Sequence, residues 1–442
     1  MTRIASITAR QMLDCGGRPL VEVDVRTDSG HVGRGAAPTG HSVGAHEAFV
    51  LRDDDPSRYD GRSVHRAVRN VEEVLAPALV GRDVSDQAAL DTVMIELDGT
   101  PRKTRLGGNA IYSVSIACLR AAAACAAEPV YRHLAAGPLT TVPVPAFNVV
   151  NGGRHGALVQ AYNEFLVVPH GAEDIFEAVE IGVRVFEVLG GVLERRFRTR
   201  PGVGKSYGFV APSSSPRVVL DVLRDAADAC GVLDKVAFAV DCASSEMYDR
   251  PSRTYELDGR RTDAAGMVEY AAALTEEFAL LFVEDLLDED DWDGFALAAR
   301  ELTRTLVLGD DLVVTNSARL RRAIDERAVD GFLLKPNQVG TITQALEAFE
   351  EARRAGLVVV PSGRSGGVID DVVMDLAVGL QVPFLKNGAP RSGERIEKLN
   401  FLMRAAHDIE GCRLADVSAI ARFPDRTADV AVRPAGDLEP VA

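Results

Sequence analysis

After a proline-punctuated stretch from Pro138 to Pro145, the chain is organised as short, continuously apolar runs alternating with helix-forming segments. The runs are Phe165 to Val168, Val236 to Val240, Leu280 to Val283, Leu306 to Leu308, Gly331 to Leu334 and Leu357 to Val360. A strand that is apolar at every position is buried on both faces, and with helices between the strands this is the mark of a parallel sheet. Six such units closing on themselves predict an α/β barrel. In such a barrel the C-terminal ends of the strands carry the chemistry.

Those ends are polar: Asp241, Glu284-Asp285, Asp310-Asp311, Lys335 and Ser362-Gly363-Arg364. Carboxylates converging from neighbouring strands, here Asp241, Glu284 and Asp310, form a hard-oxygen site suited to a divalent cation such as Mg²⁺. Lys335 and Lys386 stand at later strand ends, facing that cation. With like charges nearby, at least one is expected to have a depressed pKa and to serve as a base. Arg364 and Ser365, in a glycine-rich turn, offer a guanidinium fork, a hydroxyl and backbone N–H groups to a phosphate or phosphonate.

The N-terminal part has a different rhythm. Residues 1–35 alternate apolar and polar, as in Leu20-Val21-Glu22-Val23-Asp24-Val25, with a turn at Asp28-Ser29-Gly30. An antiparallel hairpin or meander is predicted. Residues 63–135 have helical spacing, and the Ala- and Ser-rich run from Ala110 to Ala127 predicts closely packed helices. The fold class is therefore α/β: an N-terminal α+β capping domain over residues 1–138 and a TIM-like barrel over 139–442. A chain of 442 residues accommodates a barrel of about 250 plus a companion domain. The Pro- and Ala-containing tail after Asp425 is expected to fray.

A net charge of −16, from 49 Lys and Arg against 65 Asp and Glu, disfavours nucleic acid and anionic membranes as partners. A local cluster of metal and basic groups can still hold a small anion. The six cysteines are scattered without a CxxC pair, and no secretory leader or long uncharged apolar stretch is evident. A cytoplasmic protein with free thiols is expected.

The site residues and their surrounding motifs resemble enolase along nearly the whole chain. The matching stretches include Arg10-Gln-Met-Leu-Asp14, Ser57-Arg-Tyr-Asp-Gly61, MIELDGT, PVPAFNVVNGG from Pro143, GDDLVVTN, LLKPNQVG and NGAP. The resemblance implies an enolase-type barrel and a homodimer or higher homo-oligomer. It also implies a phosphorylated three-carbon acid, 2-phosphoglycerate or phosphoenolpyruvate, as substrate, with two Mg²⁺ in each active site. Asp241, Glu284 and Asp310 would bind the first Mg²⁺, and Ser42 in a mobile loop would help hold the second. Lys335 would be the base at C2, and Lys386 would stabilise negative charge on the substrate carboxylate. Arg364 and Ser365 would hold the phosphate. His155 and Glu164 match a substrate-loop histidine and an acid-side glutamate, with Gln160 and Asn163 as polar neighbours.

The resemblance breaks on the side that handles the C3 hydroxyl. Where the family has an acidic VGDEGGFAP loop, this chain reads Val203-Gly-Lys-Ser-Tyr-Gly-Phe-Val-Ala-Pro212, leaving Ser206 or Tyr207 at the acid position. Lys205 reverses a charge, Gly363 replaces a histidine, and His41 is new in the N-terminal loop. Decay would erode the metal ligands as well, so clustered change implies altered function. The expectation is an enolate-forming enzyme with room and positive charge for a second anion. It would be similar to carboxyphosphonoenolpyruvate synthase, an enolase relative of phosphonate and phosphinate antibiotic biosynthesis. The alternatives are an ordinary phosphopyruvate hydratase and a non-catalytic binding protein of the same fold.

Overall fold

The computed structural model describes residues 2–40, 44–153, 156 and 160–422. The N-terminal domain opens with an antiparallel sheet of β1 (Ile4–Leu13), β2 (Pro19–Thr27) and β3 (Val32–Ala36) in the order β1-β2-β3. Two longer helices, α1 (Gln87–Asp98) and α2 (Gly108–Ala126), pack with it. The apolar residues Val21, Val23 and Val25 of β2 are buried against α2 residues such as Ile111 and Val114. Gly33 and Gly35 allow close approach, since a Cβ on either would fall 2.1–2.2 Å from an α2 carbonyl oxygen. Helix α2 is long and apolar enough to cross a membrane, but most of it is buried in this core.

The second domain is a barrel. Its elements are β4 (Val144–Asn151), β5 (Glu164–Val168), α3 (Ile175–Phe197), α4 (Pro216–Ala229), β6 (Ala237–Asp241), α5 (Ala264–Phe278) and β7 (Leu280–Glu284). They continue as α6 (Trp292–Glu301), β8 (Leu306–Gly309), α7 (Ser317–Asp325), β9 (Gly331–Leu334), α8 (Ile342–Arg354), β10 (Val358–Pro361), α9 (Val373–Gly379), β11 (Phe384–Lys386) and α10 (Gly393–Asp408). Several helices start at a side-chain cap that accepts from the first turn: Asp174, Asp263, Asp291, Asn316 and Thr341. The strands follow the order β10-β9-β8-β7-β6-β5-β4, and β11 pairs with β4. A bridge between Ser362 and Lys386 closes the ring. Inward residues such as Ala239, Leu281, Leu308 and Phe384 fill the barrel, while the outward set packs against the helices.

One strand departs from the expected parallel arrangement. The run at Phe165 forms β5, which pairs antiparallel with both β4 and β6. The chain doubles back between Asn151 and Glu164 instead of crossing over, and a direct return leaves adjacent strands antiparallel. The reversal has a chemical consequence. It brings the N-terminal residue of β5, Glu164, to the same barrel end as the C-terminal residues of its neighbours.

Candidate active site

Three carboxylates share one rung across three adjacent strands: Glu164 pairs with Asp241, and Asp241 with Glu284. All three are buried. Lys386, at the end of β11, projects its ammonium among them, with Nζ 2.9 Å from Glu164, 2.7 Å from Asp241 and 2.6 Å from Glu284. Asp310, just beyond β8, accepts from Gln338 Nε2 at 2.9 Å and pairs closely with Lys335. Asp285 receives the backbone N–H groups of Asp310 and Asp311, each at 2.9 Å, and so shapes the turn that presents Asp310.

Burial pushes the Glu284 carboxyl well above the usual carboxylate range, with Asp241 adding to the effect. Neither lysine has the depressed pKa expected from the sequence. Burial is the largest influence and disfavours the charge of both, but Asp310 and Glu284 together offset it for Lys335, and Asp241, Glu164 and Glu284 offset it for Lys386. The physical reason is proximity: each ammonium lies against carboxylates, and for Lys335 their pull prevails although Arg364 and Lys386 are close enough to oppose it.

The donor set fits a hard divalent cation. Asp241, Glu284 and Asp310 offer only oxygen, and Glu284 Oε1 is buried with no hydrogen-bond partner among the described residues. The oxygens of Asp285, Asp310 and Asp311 form a further acidic group within 4.8 Å of one another.

The cavity above this rung is lined by Asn163, Glu164, Ser206, Lys335, Arg364 and Ser365, among others. Gly363 lies on the same wall. Arg364 is buried and held by Glu47, whose two carboxylate oxygens accept from its terminal nitrogens at 3.0 and 3.1 Å. Sequence reasoning missed Glu47, as well as Gln338 and Arg395. No local spacing pointed to them, because each acts across the fold.

Several expected site residues lie elsewhere. Tyr207 is not on the cavity wall: its hydroxyl donates to the Cys15 carbonyl at 3.0 Å, and burial with Cys15 beside it pushes its pKa up to about 12. The segment is the tip of a small hairpin in which Val203 pairs with Phe209, and Tyr207 takes a left-handed φ of 69°. Neighbouring side chains therefore diverge, with Ser206 buried on the cavity side. Lys205 is exposed and outside the cavity lining. Gln160 is fastened to backbone, donating to Ser213 O at 3.1 Å and accepting from Tyr162 N at 3.3 Å, and it borders the neighbouring groove. His41, Ser42 and His155 lie outside the described residues.

An eight-stranded barrel with carboxylates and lysines at one end, joined to a small α+β domain, defines the class: a two-domain α/β-barrel protein whose acidic site could hold a divalent cation. Sequence comparison agrees with that class. Residues 4–134 match the family described as "Enolase, N-terminal domain", and residues 139–416 match "Enolase, C-terminal TIM barrel domain". A protein named Enolase from Methanopyrus kandleri is 42% identical over 93% of this chain and 97% of its own length. Enolases from Methanosarcina barkeri and Methanocaldococcus jannaschii are 40% and 41% identical over 92% of the chain and 95% of their own lengths. The chain belongs to the enolase family and is an enzyme of the enolase superfamily. That family generally uses Mg²⁺. The names of these three relatives speak for enolase and lend nothing to the phosphonate reading.

Proposed function

We propose that this enzyme binds 2-phosphoglycerate or phosphoenolpyruvate and moves the proton at C2 of the three-carbon acid, stabilising the enolate that results. The observation that carries this reading is the rung of Glu164, Asp241 and Glu284 around Lys386, with Lys335 and Asp310 beside it. An α-proton next to a carboxylate is very weakly acidic, so its removal needs positive charge held against the carboxylate oxygens. Asp241, Glu284 and Asp310 would hold Mg²⁺, which supplies such charge when bound. Lys335 takes or returns the proton at C2. Lys386, fixed by carboxylates on three strands, holds its ammonium toward the substrate carboxylate. Arg364 and Ser365 bind the phosphate, and Glu47 keeps the Arg364 fork aimed.

The relatives support phosphopyruvate hydratase, the conversion of 2-phosphoglycerate to phosphoenolpyruvate, as the overall reaction. Loss of the C3 hydroxyl then requires a proton donor, and Glu164, a carboxyl on the cavity wall outside the metal set of Asp241, Glu284 and Asp310, takes that role.

A specific observation favours a second reading. Ser206 and Gly363 occupy the part of the wall where the family's acid and histidine are expected, and neither can give a leaving hydroxide a proton as a carboxyl can. On that reading the enolpyruvyl unit of phosphoenolpyruvate passes to an oxygen of a second, phosphonate substrate, the C2–O bond to phosphate breaking as the new C2–O bond forms and phosphate leaving, the reaction class of carboxyphosphonoenolpyruvate synthase.

Proton and phosphorus NMR of the enzyme with Mg²⁺ and 2-phosphoglycerate in deuterated buffer tests both. Rapid formation of phosphoenolpyruvate establishes the hydratase and rejects the second reading. Deuterium entering C2 without elimination establishes enolate formation and rejects the hydratase. No exchange and no Mg²⁺-dependent binding would reject both in favour of a non-catalytic role.

A further inference from the structure

The stretch from Pro143 to Gly153 holds two asparagines, Asn148 and Asn151, both fully buried on β4. Successive residues of a strand alternate between its two faces. Val144 and Ala146 help fill the barrel interior, so Asn148 continues that inward face toward the end that carries the site. It lines the active-site cavity together with Glu164, Ser206 and Lys386.

The amide of Asn148 is oriented from behind the cavity wall. The backbone N–H of Gly208 donates to Asn151 Oδ1 at 3.0 Å. A backbone N–H can only donate, so the arm of Asn151 that meets it is the carbonyl and the other arm is the NH₂. Asn151 Nδ2 then donates to Asn148 Oδ1 at 3.1 Å, and by the same logic the remaining arm of Asn148 is its NH₂. That Nδ2 is buried and has no hydrogen-bond partner among the described residues. A buried donor without an acceptor is costly, and the cavity that Asn148 lines is where a ligand oxygen can reach it.

Elimination identifies that oxygen. On the reading above, the carboxylate of the three-carbon acid belongs to the metal and Lys386, and its phosphate to Arg364 and Ser365. The oxygen on C3 is left. The location agrees: Asn151, which aims Asn148, pairs in register with Glu164, the carboxyl assigned to the C3 side. Its other partner, Gly208, stands two residues beyond Ser206 in the hairpin that forms the same wall.

We propose that Asn148 is a specificity-determining residue whose amide donates to the C3 oxygen of 2-phosphoglycerate, and that Asn151 is the positioning residue that keeps the donor, not the carbonyl, turned to the substrate. A neutral amide binds this oxygen without protonating it, so proton donation stays with Glu164. The assignment rests on the reading of the substrate as 2-phosphoglycerate. A site built to donate to a substrate oxygen rejects an analogue without it, because the buried donor is then left unpaired.

The test is calorimetric titration of 2-phosphoglycerate, and of 2-phospholactate, which lacks only the C3 hydroxyl, into the full-length enzyme with Mg²⁺. Lys335→Met serves as the parent, so that the C2 proton stays in place during the titration. The parent is expected to bind 2-phosphoglycerate at least about tenfold more tightly than 2-phospholactate. Asn148→Leu, similar in shape but without the donor, should weaken 2-phosphoglycerate at least about tenfold and leave 2-phospholactate within about twofold. Asn151→Asp still accepts from Gly208 but draws the Asn148 NH₂ to its carboxylate, which turns the Asn148 carbonyl toward the substrate. It is expected to erase the same preference from a residue outside the cavity lining, and it decides the matter if the leucine variant does not fold. A parent without preference overturns the assignment, as does a preference that survives in the variants or a parallel loss of both ligands. Failure of both ligands to bind the parent would instead overturn the functional reading on which the assignment rests.

Discussion

Glu47 and Arg364 stand 317 positions apart and meet as a two-point ion pair, with both side chains buried and the nitrogen-to-oxygen distances at 3.0 and 3.1 Å. One residue belongs to the N-terminal domain and the other to the turn after β10, so the pair fastens the cap to the barrel at the phosphate end of the cavity. Glu47→Ala leaves a buried guanidinium without its counter-ion and is expected to destabilise the ligand-free protein by about 3–5 kcal/mol. A phosphorylated substrate gives the guanidinium a new anion, so part of the lost melting temperature should return on adding 2-phosphoglycerate with Mg²⁺. Thermal melts with and without ligand measure both effects.

Glu284 is fully buried, with Asp241 and Asp310 near it, Lys386 at 2.6 Å from one oxygen, and the other oxygen unpartnered among the described residues. Glu284→Gln is therefore expected to raise the melting temperature of the metal-free protein, because a neutral amide avoids the burial cost of the carboxylate. The same change should abolish most of the stabilisation that Mg²⁺ gives the unmodified enzyme through preferential binding to the folded state. Calorimetric scans over an Mg²⁺ series would show the two effects with opposite signs.

Lys335 lies on the cavity wall and is the group assigned to the C2 proton. Lys335→Met is expected to slow deuterium exchange at C2 by about 10²–10⁴-fold, the usual range for loss of a general base. Phosphoenolpyruvate should still bind, since Arg364 and Ser365 remain. Exchange followed by proton NMR, with binding followed by calorimetry, separates the two.

Asp375, near the start of α9, is buried, and its carboxyl is pushed up to about 7 by burial, with Asp370 and Asp371 adding to the effect. Arg120 and a backbone N–H of Tyr131 offset this only in part. Between the unfolded value of 3.8 and about 7, the folded state binds more protons at this site than the unfolded state. Its contribution is therefore greatest at low pH and is lost as pH rises through that window. Asp375→Asn removes this dependence. It should be more stable than the unmodified protein above pH 7, by up to roughly 4 kcal/mol, with the advantage vanishing toward pH 4. Chemical denaturation across that range gives the difference directly.

The alternation of short apolar runs with longer helical segments was enough to read a barrel with a separate α+β cap, because runs of only three to five residues, closed by polar residues, are too short for buried helices such as Gly108–Ala126. Polar residues closing those runs likewise made Asp241, Glu284, Asp310, Lys335 and Arg364 legible as a group. The direction of β5 was not legible. An apolar run reads the same for a parallel and an antiparallel strand, and only the doubling back of the chain between Asn151 and Glu164 brings Glu164 to the functional end.

The loop from Val203 to Pro212 marks the boundary between the two kinds of information. Sequence determined that no carboxylate stands there, since composition alone excludes one. Whether Ser206 or Tyr207 meets the cavity was decided by a hairpin tip and a left-handed φ, which turn the serine inward and the tyrosine toward Cys15. The partners that set the charge of the site, Glu47 for Arg364 and the rung of carboxylates for Lys386, were decided by tertiary structure as well. Their contacts span as many as 317 positions, and the fields they exert depend on ångström separations that no spacing along the chain encodes.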